Sequence, residues 1–468
     1  MTNETKKRLR DLVGMENYFD SPEDKMVYSY DGTPLIRQQA EAILKPNSAE
    51  EIARIIRLAN DEGFSIVPRG SGTGLSGGSV PNAGSIILLF NHWNQILEVD
   101  SDNLTAWVQP GVITAHLHRA VEKIGLFYPP DPGSQEICTI GGNVAENAGG
   151  LRGLKYGVTK NYIMGIEMVM PNGELIINGG KNVKDVAGYN IRDLIVGSEG
   201  TLGIFTRLLL RLIPKPESTK TLLVVYDKLT KAAETVSEII ANHIIPCTVE
   251  FLDNTTIRAV ESYAALGLPQ SASAILLLEV DGHSEVVTRE AEKIKEICLR
   301  KGAVNVTLAA DDEEALKLRT ARRAAFSSLA RIKPTTILED ATVPRSSLAV
   351  MVEKIEQISR KYNLQIGNFG HAGDGNLHPT CLTDERDKEE LKRVEQAFDE
   401  IYEETIKLGG TITGEHGVGL AKKGFLEKMI EVPALEAMRK IKQAWDPNNV
   451  LNPGKIISHS PKCEGKLN

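Results

Sequence analysis

The first clear pattern along the chain is a short apolar run, an amphipathic stretch and a second apolar run. Ala42–Leu44 and Ser65–Val67 are the apolar runs, and Ser48–Glu62 between them has the spacing of an amphipathic helix. Ser48 is a preferred N-cap residue, and two glutamates follow in the first turn. The pattern therefore predicts a strand, a helix and a strand. Residues 1–38, which precede it, are charged and helix-prone.

The remainder of the first half alternates short apolar runs with glycine-rich turns. Short β-like runs fill residues 85–112, and a helix is predicted over Thr114–Ile124. Two more strands are predicted over Tyr162–Met170 and Leu175–Asn178. The Pro-Lys-Pro segment at residues 214–216 ends this half, and we interpret it as a domain boundary because the composition changes there.

Beyond the boundary, apolar runs alternate with long amphipathic stretches. The predicted strands are Thr221–Tyr226, Ala274–Val280, Thr335–Thr342 and Gln365–Phe369. A helix is predicted after each strand, and the four helices end near Ala241, Lys301, Tyr362 and Leu408, respectively. Repeated strand and helix units of this length predict an α+β fold class for this half of the chain.

The composition is that of a globular protein long enough for two or three domains. The 468 residues are 41% hydrophobic and 25% charged. The net charge of −8 argues against a nucleic-acid partner. No apolar run reaches the roughly 20 residues of a transmembrane helix, and the charged start lacks the apolar segment of a signal peptide. We therefore expect a cytoplasmic protein.

Five cysteines are scattered along the chain, and none has the spacing of a metal or cluster ligand set. They are Cys138, Cys247, Cys298, Cys381 and Cys463. We therefore predict that the chain carries no iron–sulfur cluster of its own. Cys138 precedes a glycine-rich stretch, and we interpret it as a small buried residue.

The stretch Pro68–Gly78 is so rich in glycine that its backbone N–H groups are free to approach phosphate oxygens. Gly72, Gly74 and Gly77 match the dinucleotide-binding pattern G-x-G-x-x-G. That interpretation fails because no helix is predicted to follow, since residues 79–84 lead into another apolar run. A Walker loop is excluded because no lysine follows the glycines.

A second glycine-rich region follows at Asp131–Ser134 and Thr139–Gly150. A loop that binds phosphate without a helix dipole needs additional donors, and we predict that this region supplies them as a second loop. Ordinary turns are the alternative, but turn glycines usually occur singly or in pairs. Two such loops predict one long phosphate-containing ligand.

Six motifs run in order along nearly the whole chain: Pro68–Gly74, Thr139–Gly150, Gly197–Ile204, Gly370–Pro379, Gly414–Gly419 and Leu451–Lys455. With them the sequence resembles the FAD-linked oxidases of the vanillyl-alcohol oxidase type. The similarity is to the D-2-hydroxyacid dehydrogenase branch, which contains D-lactate dehydrogenases, the glycolate oxidase flavin subunit and the lactate-oxidising subunits of electron-bifurcating assemblies.

The resemblance implies an α+β fold with a two-lobed FAD-binding domain of the p-cresol methylhydroxylase (PCMH) type. It also implies an α+β cap with an antiparallel sheet, and a C-terminal segment that returns to the FAD domain. The expected divisions are an N-terminal helical segment (1–38), the FAD-binding domain (39–217), the cap (218–412) and the C-terminal segment (413–468).

The resemblance further implies a bound FAD. The attachment is expected to be non-covalent, because members with a histidyl link carry His near the position of Thr73. The implied cofactor residues are Pro68, Arg69, Gly70, Ser71, Gly72, Thr73, Gly74, Pro132, Gly133, Ser134, Thr139, Gly142, Asn143, Asn147, Gly149, Gly150, Glu199, Gly203, Ile204 and Asn452.

Two histidines, His371 and His378, are joined by a glycine-rich loop that lets both imidazoles turn toward one point. With Glu415 they would form a good site for zinc, manganese or ferrous iron. We therefore predict one divalent metal held by these three residues. Neighbours in extended backbone point to opposite sides, so His416 would be free to act as the catalytic base. Hydrogen-bonded core histidines are the alternative, which this glycine-rich setting disfavours.

A metal suits the chemistry because the substrate must lose a hydroxyl proton. For a water-like hydroxyl with a pKa near 15.7 and an imidazole near 6.5, the gap is about 9 units, or about 12 to 13 kcal/mol. A divalent ion that lowers the pKa of a bound hydroxyl toward about 7 removes most of that gap. In the family, the hydride passes to flavin N5 while the metal binds the α-hydroxyl and one carboxylate oxygen.

The resemblance places a carboxylate-binding arginine at Arg319, and a planar guanidinium suits that task. Arg322 and Arg323 are close enough in sequence to leave the assignment open. Family members that act on 2-hydroxyglutarate carry a lysine where this chain has Leu338. We therefore predict a short monocarboxylate, with D-lactate as the first candidate and glycolate as the second.

The predicted function is the FAD- and metal-dependent oxidation of a D-2-hydroxy acid to the 2-oxo acid. The family offers an electron-transfer flavoprotein or an iron–sulfur subunit as the electron-accepting partner. The alternatives are a flavin electron-transfer subunit without turnover of its own and a D-2-hydroxyglutarate dehydrogenase. A metal-dependent hydrolase would leave both glycine-rich regions unexplained.

Overall fold

The computed structural model of the chain describes residues 1–457 and shows three large sheets, each packed with its own helices. Cys463 and the end of the expected C-terminal segment lie outside these residues. The described helices include none that is both long enough and apolar enough to cross a membrane.

The first lobe is a four-stranded sheet packed against helices. Its elements are α1 (Asn3–Val13), β1 (Tyr18–Phe19), α2 (Pro22–Val27), β2 (Ala42–Leu44), α3 (Ala49–Glu62), β3 (Ile66–Arg69) and β4 (Ile86–Leu89). The strand order is β1-β2-β4-β3, with β4 parallel to both β2 and β3. The observed bounds of β2, α3 and β3 confirm the predicted strand, helix and strand. The hydroxyl of Ser48 accepts from the N–H of Glu51 at 3.1 Å and caps the N-terminus of α3.

The second lobe is a five-stranded antiparallel sheet of order β5-β6-β10-β8-β9. Its elements are β5 (Ile96–Asp100), β6 (Thr105–Val108), α4 (Thr114–Glu122), β7 (Leu126–Phe127), α5 (Ile140–Glu146), α6 (Gly153–Tyr156), β8 (Ile163–Val169), β9 (Leu175–Gly179), α7 (Ile191–Ile195), β10 (Ile204–Arg211) and β11 (Ile213–Pro214). Strands β7 and β11 form a separate two-stranded pair.

The cap contains an eight-stranded sheet that runs β15-β12-β14-β13-β18-β19-β16, with β17 also paired to β19. Its elements are β12 (Ser218–Tyr226), α8 (Leu229–Ala241), β13 (Thr248–Asp253), α9 (Asn254–Ala264), β14 (Ala274–Gly282), α10 (Ser284–Arg300), β15 (Asn305–Leu308), α11 (Asp312–Arg323), α12 (Ala325–Leu329), β16 (Thr335–Leu338), β17 (Ala341–Thr342), α13 (Leu348–Lys361), β18 (Gln365–His371), β19 (Asn376–Thr383) and α14 (Lys388–Lys407).

Both faces of the cap sheet are covered by helices, which explains the uninterrupted apolar run over residues 274–278 of β14. On β14, Leu276 and Leu278 pack into a core with α8, α10 and α13, whereas Ile275 and Leu277 pack into a second core with α9, α11 and α12. Successive side chains of a strand point to opposite faces, so a sheet covered on both sides needs apolar residues at every position. All pairings in this sheet are antiparallel, as predicted.

The C-terminal segment returns to the first two lobes, as predicted. It contains α15 (Lys423–Met429) and α16 (Val432–Trp445). The N–H of Ile66 donates to the carbonyl of Val450, and the N–H of Asn452 donates to the carbonyl of Ile66, both at 2.8 Å. Residues near the end of the chain therefore extend the first sheet beyond β3 by a parallel bridge between Ile66 and Leu451.

Candidate active site

A large cavity lies where the two lobes, the cap and the C-terminal segment meet. It encloses about 610 Å³, which is within the usual range for cofactor and small-molecule sites. One wall is built from the two glycine-rich regions, and a second wall carries the histidines of the cap. We call this space the cavity, the first wall the glycine wall, and the second the histidine wall.

The glycine wall brings the two glycine-rich regions into contact. A Cβ atom at Gly70 would lie 2.3 Å from the hydroxyl oxygen of Thr139, so a side chain at this position would displace the second region. The same hydroxyl accepts from the N–H of Gly142 at 3.2 Å and caps α5. The close approach of two backbones at this point therefore depends on a residue without a Cβ atom.

The prediction of a second loop over Thr139–Gly150 was wrong in part, because residues 140–146 form the helix α5. The glycines of this helix serve close packing rather than a loop. A Cβ atom at Gly141 would lie 2.6 Å from Cβ of Pro110 and 2.9 Å from its carbonyl oxygen. Tertiary contact thus overrides the low helix propensity of glycine.

Most of the predicted cofactor residues line the cavity. They are Pro68, Arg69, Gly70, Ser71, Gly72, Thr73, Gly74, Pro132, Gly133, Ser134, Thr139, Gly142, Asn143, Glu199, Gly203 and Ile204. Cys138 also lines it, and burial raises the pKa of its thiol. The aromatic side chains of Phe90, Phe326 and Phe369 add apolar surface that the sequence analysis did not single out.

The remaining predicted cofactor residues support the walls from behind. Asn147 ends α5 in the left-handed conformation, and Gly150 lies so close to Asp131 that a Cβ atom would be 2.1 Å from its carbonyl oxygen. At Gly149, a Cβ atom would lie 2.7 Å from a carboxylate oxygen of Glu415. These residues shape the cavity without lining it in the described part of the chain.

Asn452 joins two segments of the glycine wall. Its side-chain amide donates to the carbonyl oxygens of Gly78 at 2.8 Å and Glu199 at 2.7 Å. Asn452 is buried, and it follows directly the bridge between Ile66 and Leu451. The C-terminal segment therefore fixes the glycine wall even where it does not face the cavity.

On the histidine wall, His371, His378 and Glu415 converge as predicted. Oε1 of Glu415 lies 3.0 Å from Nε2 of His371 and 3.4 Å from Nε2 of His378. Bonds of about 2.0 to 2.2 Å to one ion place neighbouring ligand atoms about 3.0 to 3.5 Å apart. The three side chains thus have the chemistry and the spacing of a metal ligand set.

A carboxylate stands behind each of the two imidazoles. Oε1 of Glu250 lies 2.7 Å from Nδ1 of His371, and Oδ1 of Asp340 lies 3.9 Å from Nδ1 of His378. Carboxylates in this position orient metal-binding histidines in many proteins. The sequence analysis missed Glu250, whose signal is an acidic residue inside the apolar strand β13.

The electrostatics of this wall favour a bound cation. Burial alone would lower the pKa of His371, but Glu250 and Glu415 raise it to about 10. Burial would likewise raise the pKa of Glu415, yet His371 and His378 hold it well below its usual range. A proton on His371 neutralises these carboxylates here, and a divalent ion bound to the same atoms would take its place.

His416 lines the cavity beside these residues, and its ring stacks on that of His378 with centroids 4.9 Å apart. Burial is the main reason that its pKa falls to about 4, against the opposing charge of Asp340. The imidazole is therefore neutral near neutral pH and able to accept a proton.

Arg319 lies away from the cavity, contrary to the expectation that it binds a substrate carboxylate there. Nη1 of Arg319 donates to Oε2 of Glu279 at 3.2 Å beside a separate small pocket. Arg322, which lies three positions further along α11, lines the cavity instead, together with Arg323. Three residues advance a helix by about 4.5 Å, which separates the surroundings of Arg319 from those of Arg322.

Arg322 is held rigidly in the histidine wall. Its Nε donates to Oε2 of Glu250, and its guanidinium carbon lies 5.0 Å from the centre of the Phe369 ring. Nη2 lies 3.5 Å from Nε2 of His371. The terminal nitrogens of a fixed, buried guanidinium thus lie beside the predicted metal ligands, where an anionic group would be bound.

Two carboxyl groups, Glu146 and Glu199, also line the cavity at the glycine wall. Burial raises the pKa of Glu199 to about 7, against the effect of two backbone N–H donors. Burial, and next the charge of Glu199, raise the pKa of Glu146 well above its usual range. Glu199 was predicted as a cofactor residue, whereas Glu146 was not singled out.

Two protein-family models match the sequence. The model described as "FAD binding domain" matches residues 40–178, and the model described as "FAD linked oxidases, C-terminal domain" matches residues 215–456. Together these matches cover most of the two lobes, nearly all of the cap and most of the C-terminal segment, and leave out residues 1–39 and 179–214.

Curated relatives match over nearly their whole length. The glycolate oxidase subunit GlcD of Bacillus subtilis is 56% identical, with 98% of this chain and 97% of the relative covered. The D-lactate dehydrogenase of Anaerostipes hadrus is 35% identical, with 96% of this chain and 94% of the relative covered.

A similar fold occurs among solved structures. The 4-ethylphenol oxidase of Gulosibacter chungangensis superposes with a TM-score of 0.81 at 20% identity, covering 98% of this chain and 97% of that one. At this level of identity the likeness concerns the fold alone, and it supports the predicted PCMH-type arrangement of two lobes and a cap.

Proposed function

The chain belongs to the family of FAD-linked oxidases, and from this premise we propose that it oxidises a short 2-hydroxy acid to the 2-oxo acid. The observation that carries this proposal is the histidine wall. The candidate metal ligands, a neutral imidazole and a buried guanidinium line the same cavity as the glycine wall. A carrier of electrons alone would have no use for these three groups.

Arg322 is the residue that we propose to bind the substrate carboxylate. Its Nε is occupied by Glu250, so the terminal nitrogens remain for a second anion. A planar guanidinium suits a carboxylate because it offers paired donors in a fixed geometry. This assignment replaces Arg319, whose guanidinium pairs with Glu279 away from the cavity.

His371, His378 and Glu415 are the residues that would hold a divalent metal ion. Such an ion, when bound, supplies a Lewis acid that lowers the pKa of a coordinated hydroxyl group. Glu250 orients His371 through its Nδ1 atom, which directs Nε2 toward Glu415. The three side chains thereby define where the substrate hydroxyl would lie.

His416 is the proposed base for the hydroxyl proton. It is neutral at neutral pH, lines the cavity and lies next in sequence to Glu415, a proposed metal ligand. A positioned base accelerates such proton transfers by about 10²- to 10⁴-fold. FAD, held along the glycine wall, supplies the acceptor for the hydride that leaves C2 of the substrate.

The size of the substrate follows from the side chains around Arg322. Leu338, Phe326 and Phe369 line the cavity and belong to one apolar cluster, and Phe369 contacts the Arg322 guanidinium. A doubly charged substrate would therefore place its second carboxylate against apolar surface. Arg323 also lines the cavity, but Asp131 already accepts from its Nη2 at 3.2 Å. We therefore propose a short monocarboxylate, glycolate or D-lactate, for which the two relatives are named.

The electrons of the reduced flavin require an acceptor. We propose a partner protein, either an electron-transfer flavoprotein or an iron–sulfur subunit. The relative with 56% identity is named as a subunit of an oxidase, which supports an assembly of several chains. Purification of the native complex, followed by identification of the chains that accompany this one, tests this part of the proposal.

The central experiment is an anaerobic titration of the metal-replete, FAD-loaded protein with glycolate, D-lactate, L-lactate and D-2-hydroxyglutarate. We expect glycolate or D-lactate to bleach the flavin absorbance near stoichiometric amounts, and the other two acids to act weakly. A preference for D-2-hydroxyglutarate would contradict the proposed role of Leu338. Bleaching by none of the four acids would contradict the proposed substrate class.

A further inference from the structure

The segment of residues 413–419 carries two of the proposed functional residues, Glu415 and His416, yet it has no regular secondary structure. Its backbone N–H groups therefore cannot be satisfied by a helix or sheet ladder, and buried N–H groups without a partner are costly. We call this segment the active-site loop. Two buried carboxylates, one from the cap and one from the second lobe, supply its acceptors.

Asp340 is the acceptor from the cap. It lies between β16 and β17 and is completely buried. One carboxylate oxygen, Oδ2, accepts three backbone N–H groups and one hydroxyl of the active-site loop, which are Thr413 Oγ1 at 2.8 Å, Gly414 N at 2.8 Å, Glu415 N at 3.0 Å and His416 N at 3.1 Å. The other oxygen, Oδ1, accepts from the side-chain amide of Asn376.

Glu199 is the acceptor from the second lobe. It lies between α7 and β10 and is buried. Its Oε1 accepts from the N–H of Val418 and its Oε2 from the N–H of Gly419, both at 2.7 Å. Carboxylates that accept backbone N–H groups form hydrogen bonds about twice as strong as neutral ones.

Gly417 lies between the two groups of donors and packs against two carboxylates of the second lobe. Its φ is +81°, and a Cβ atom there would lie 2.2 Å from Oε2 of Glu146 and 2.9 Å from Oε1 of Glu199. The loop therefore reaches Glu199 only with glycine at this position.

We propose that Asp340 and Glu199 are positioning residues that fix Glu415 and His416 from opposite ends of the active-site loop. The loop would adopt its functional shape only when the cap and the second lobe each contribute their carboxylate. The roles of Glu415 and His416 rest on the proposed function, whereas the anchoring of the loop does not depend on it.

Asp340 has a second task in this arrangement. Its carboxylate oxygens lie 3.9 Å from Nδ1 of His378 and 3.9 Å from Nδ1 of His416. Both Nδ1 atoms are buried and have no hydrogen-bond partner among the described residues. Asp340 is thus the carboxylate that favours a proton on Nδ1 of each ring, which leaves both Nε2 atoms available at the cavity.

Hydrogen exchange of the holoprotein, followed by mass spectrometry of short peptides, tests the anchoring without any turnover. In Asp340→Asn, the amide has to turn its NH2 group either toward the loop donors or toward Asn376, so hydrogen bonds are lost in both orientations. We expect exchange of residues 414–416 to accelerate by about 10- to 100-fold. Exchange at Val418 and Gly419 should change much less.

Glu199→Gln should give the converse pattern, because a glutamine side chain accepts only through one of its two terminal atoms. Exchange at Val418 and Gly419 should accelerate, while residues 414–416 keep most of their protection. Glu285→Gln, an exposed glutamate in the first turn of α10, is the matched control and should change neither part of the loop.

A double variant that swaps the side chains of residues 340 and 376 distinguishes loss of the loop anchor from a general loss of folding in Asp340→Asn. In the double variant Asp340→Asn with Asn376→Asp, the amide of residue 340 can donate to the new carboxylate while its oxygen accepts from the loop. We expect this double variant to recover protection at residues 414–416 relative to either single variant. Failure of the recovery, together with global exchange, would mean that Asp340 acts only in stability.

The affinity for Mn²⁺, measured without substrate, tests the same proposal at the ligand Glu415. Asp340→Asn should weaken Mn²⁺ binding by about 10- to 100-fold, the range known for residues behind metal ligands. Unchanged exchange and unchanged Mn²⁺ affinity in both single variants would overturn the proposal. If the exchange pattern is as expected but no 2-hydroxy acid reduces the flavin, the anchoring stands and the proposed function fails.

Discussion

The two walls of the cavity are built in opposite ways. The glycine wall presents backbone, and its shape depends on the absence of side chains at positions such as Gly70 and Gly141. The histidine wall presents charged side chains that hold one another, with Glu250 bound to both His371 and Arg322. The first kind of wall is suited to selecting a ligand by its shape, and the second by its charge.

The two walls should therefore differ in their sensitivity to mutation. A backbone surface is insensitive to most changes of side-chain chemistry but cannot accept added volume at its points of close approach. A network of buried charges tolerates no loss of a partner, because the group left behind remains buried and uncompensated. Substitutions should therefore separate FAD binding from catalysis.

The largest effect is expected in the histidine wall from His416→Gln. Loss of the base should slow reduction of the flavin by the substrate about 10²- to 10⁴-fold, while the amount of bound FAD stays the same. Stopped-flow absorbance gives the rate, and the ratio of FAD to protein absorbance gives the occupancy. His283→Gln at an exposed site is the control, and a loss of FAD from His416→Gln would break the separation of the two walls.

The next effect is expected from Arg322→Gln, which leaves Glu250 buried without its guanidinium partner. Breaking such a pair typically costs about 3 to 5 kcal/mol of stability, and KM for the substrate should rise as well. Arg319→Gln is the matched control, because its pair with Glu279 is partly exposed and should contribute about 1 kcal/mol or less. Thermal unfolding and initial-rate kinetics of both variants decide between the two arginines. A larger rise in KM for Arg319→Gln than for Arg322→Gln would reinstate Arg319 as the residue that binds the substrate carboxylate.

A smaller effect is expected in the glycine wall from Gly70→Ala. The added methyl group would displace the Thr139 hydroxyl, which is the N-terminal hydrogen-bond acceptor of α5. We expect this to lower the stability of the fold by about 1 to 3 kcal/mol. We expect weaker FAD binding, by about 5- to 150-fold, with an unchanged rate of reduction in the fraction that retains FAD. Gly180→Ala, where a Cβ atom has open space, should bind FAD normally.

The smallest effect concerns the pH dependence of stability through Glu199. Its pKa rises on folding from 4.5 to about 7, so the folded protein holds a proton that the unfolded chain has lost. Stability from this group is therefore present below about pH 4.5 and is lost as the pH rises to about 7. Glu199→Gln should flatten the fall of the melting temperature across this range. An unchanged slope would contradict the assigned pKa.

Several charged groups face Glu199 and belong to that titration. Lys422 and Lys455 of the C-terminal segment lower the pKa of Glu199, whereas the charges of Glu199 and Asp31 raise the pKa of Glu146 on α5. Glu146 has a raised pKa as well, so it contributes to the slope with the same sign. The double variant of Glu146 and Glu199 to glutamine should therefore flatten the curve further than either single variant.

The sequence predicted the longest and most strongly patterned strands and helices of the cap, but it missed the strands β13, β15 and β19 and the helices α9, α11 and α12, and it predicted β16 and β17 as one strand. The helix predicted to end near Ala241, for example, does end there, and the strand predicted from Ala274 begins there. The helix α5 was missed because local propensity disfavours Gly141 and Gly142 in a helix. That helix is stabilised by its contact with Pro110 and by the N-terminal hydrogen bond to the Thr139 hydroxyl. Neither interaction could be recognised from the pattern of neighbouring residues.

At the site, the sequence predicted the residues whose chemistry is visible in short motifs. His371, His378, Glu415 and His416 fall into this class, and the structure brings them together. Glu250 was not predicted because it comes from a different strand and shows its role only through the pairing of β13 with β18. The choice between Arg319 and Arg322 depended on which turn of α11 reaches the cavity. The sequence of α11 alone does not determine this, because it depends on how the helix packs against the rest of the protein.

The bridge between Ile66 and Leu451 has a consequence for the order in which the protein can be completed on the ribosome. These two residues are separated by about 385 positions, and chains grow at about 5 to 20 residues per second. The open edge of β3 therefore stays without its neighbour for about 20 to 80 s of synthesis. During this time an unpaired strand edge is a site for mispairing with other chains. A chain that ends before Leu451 would keep this edge of the first sheet unpaired.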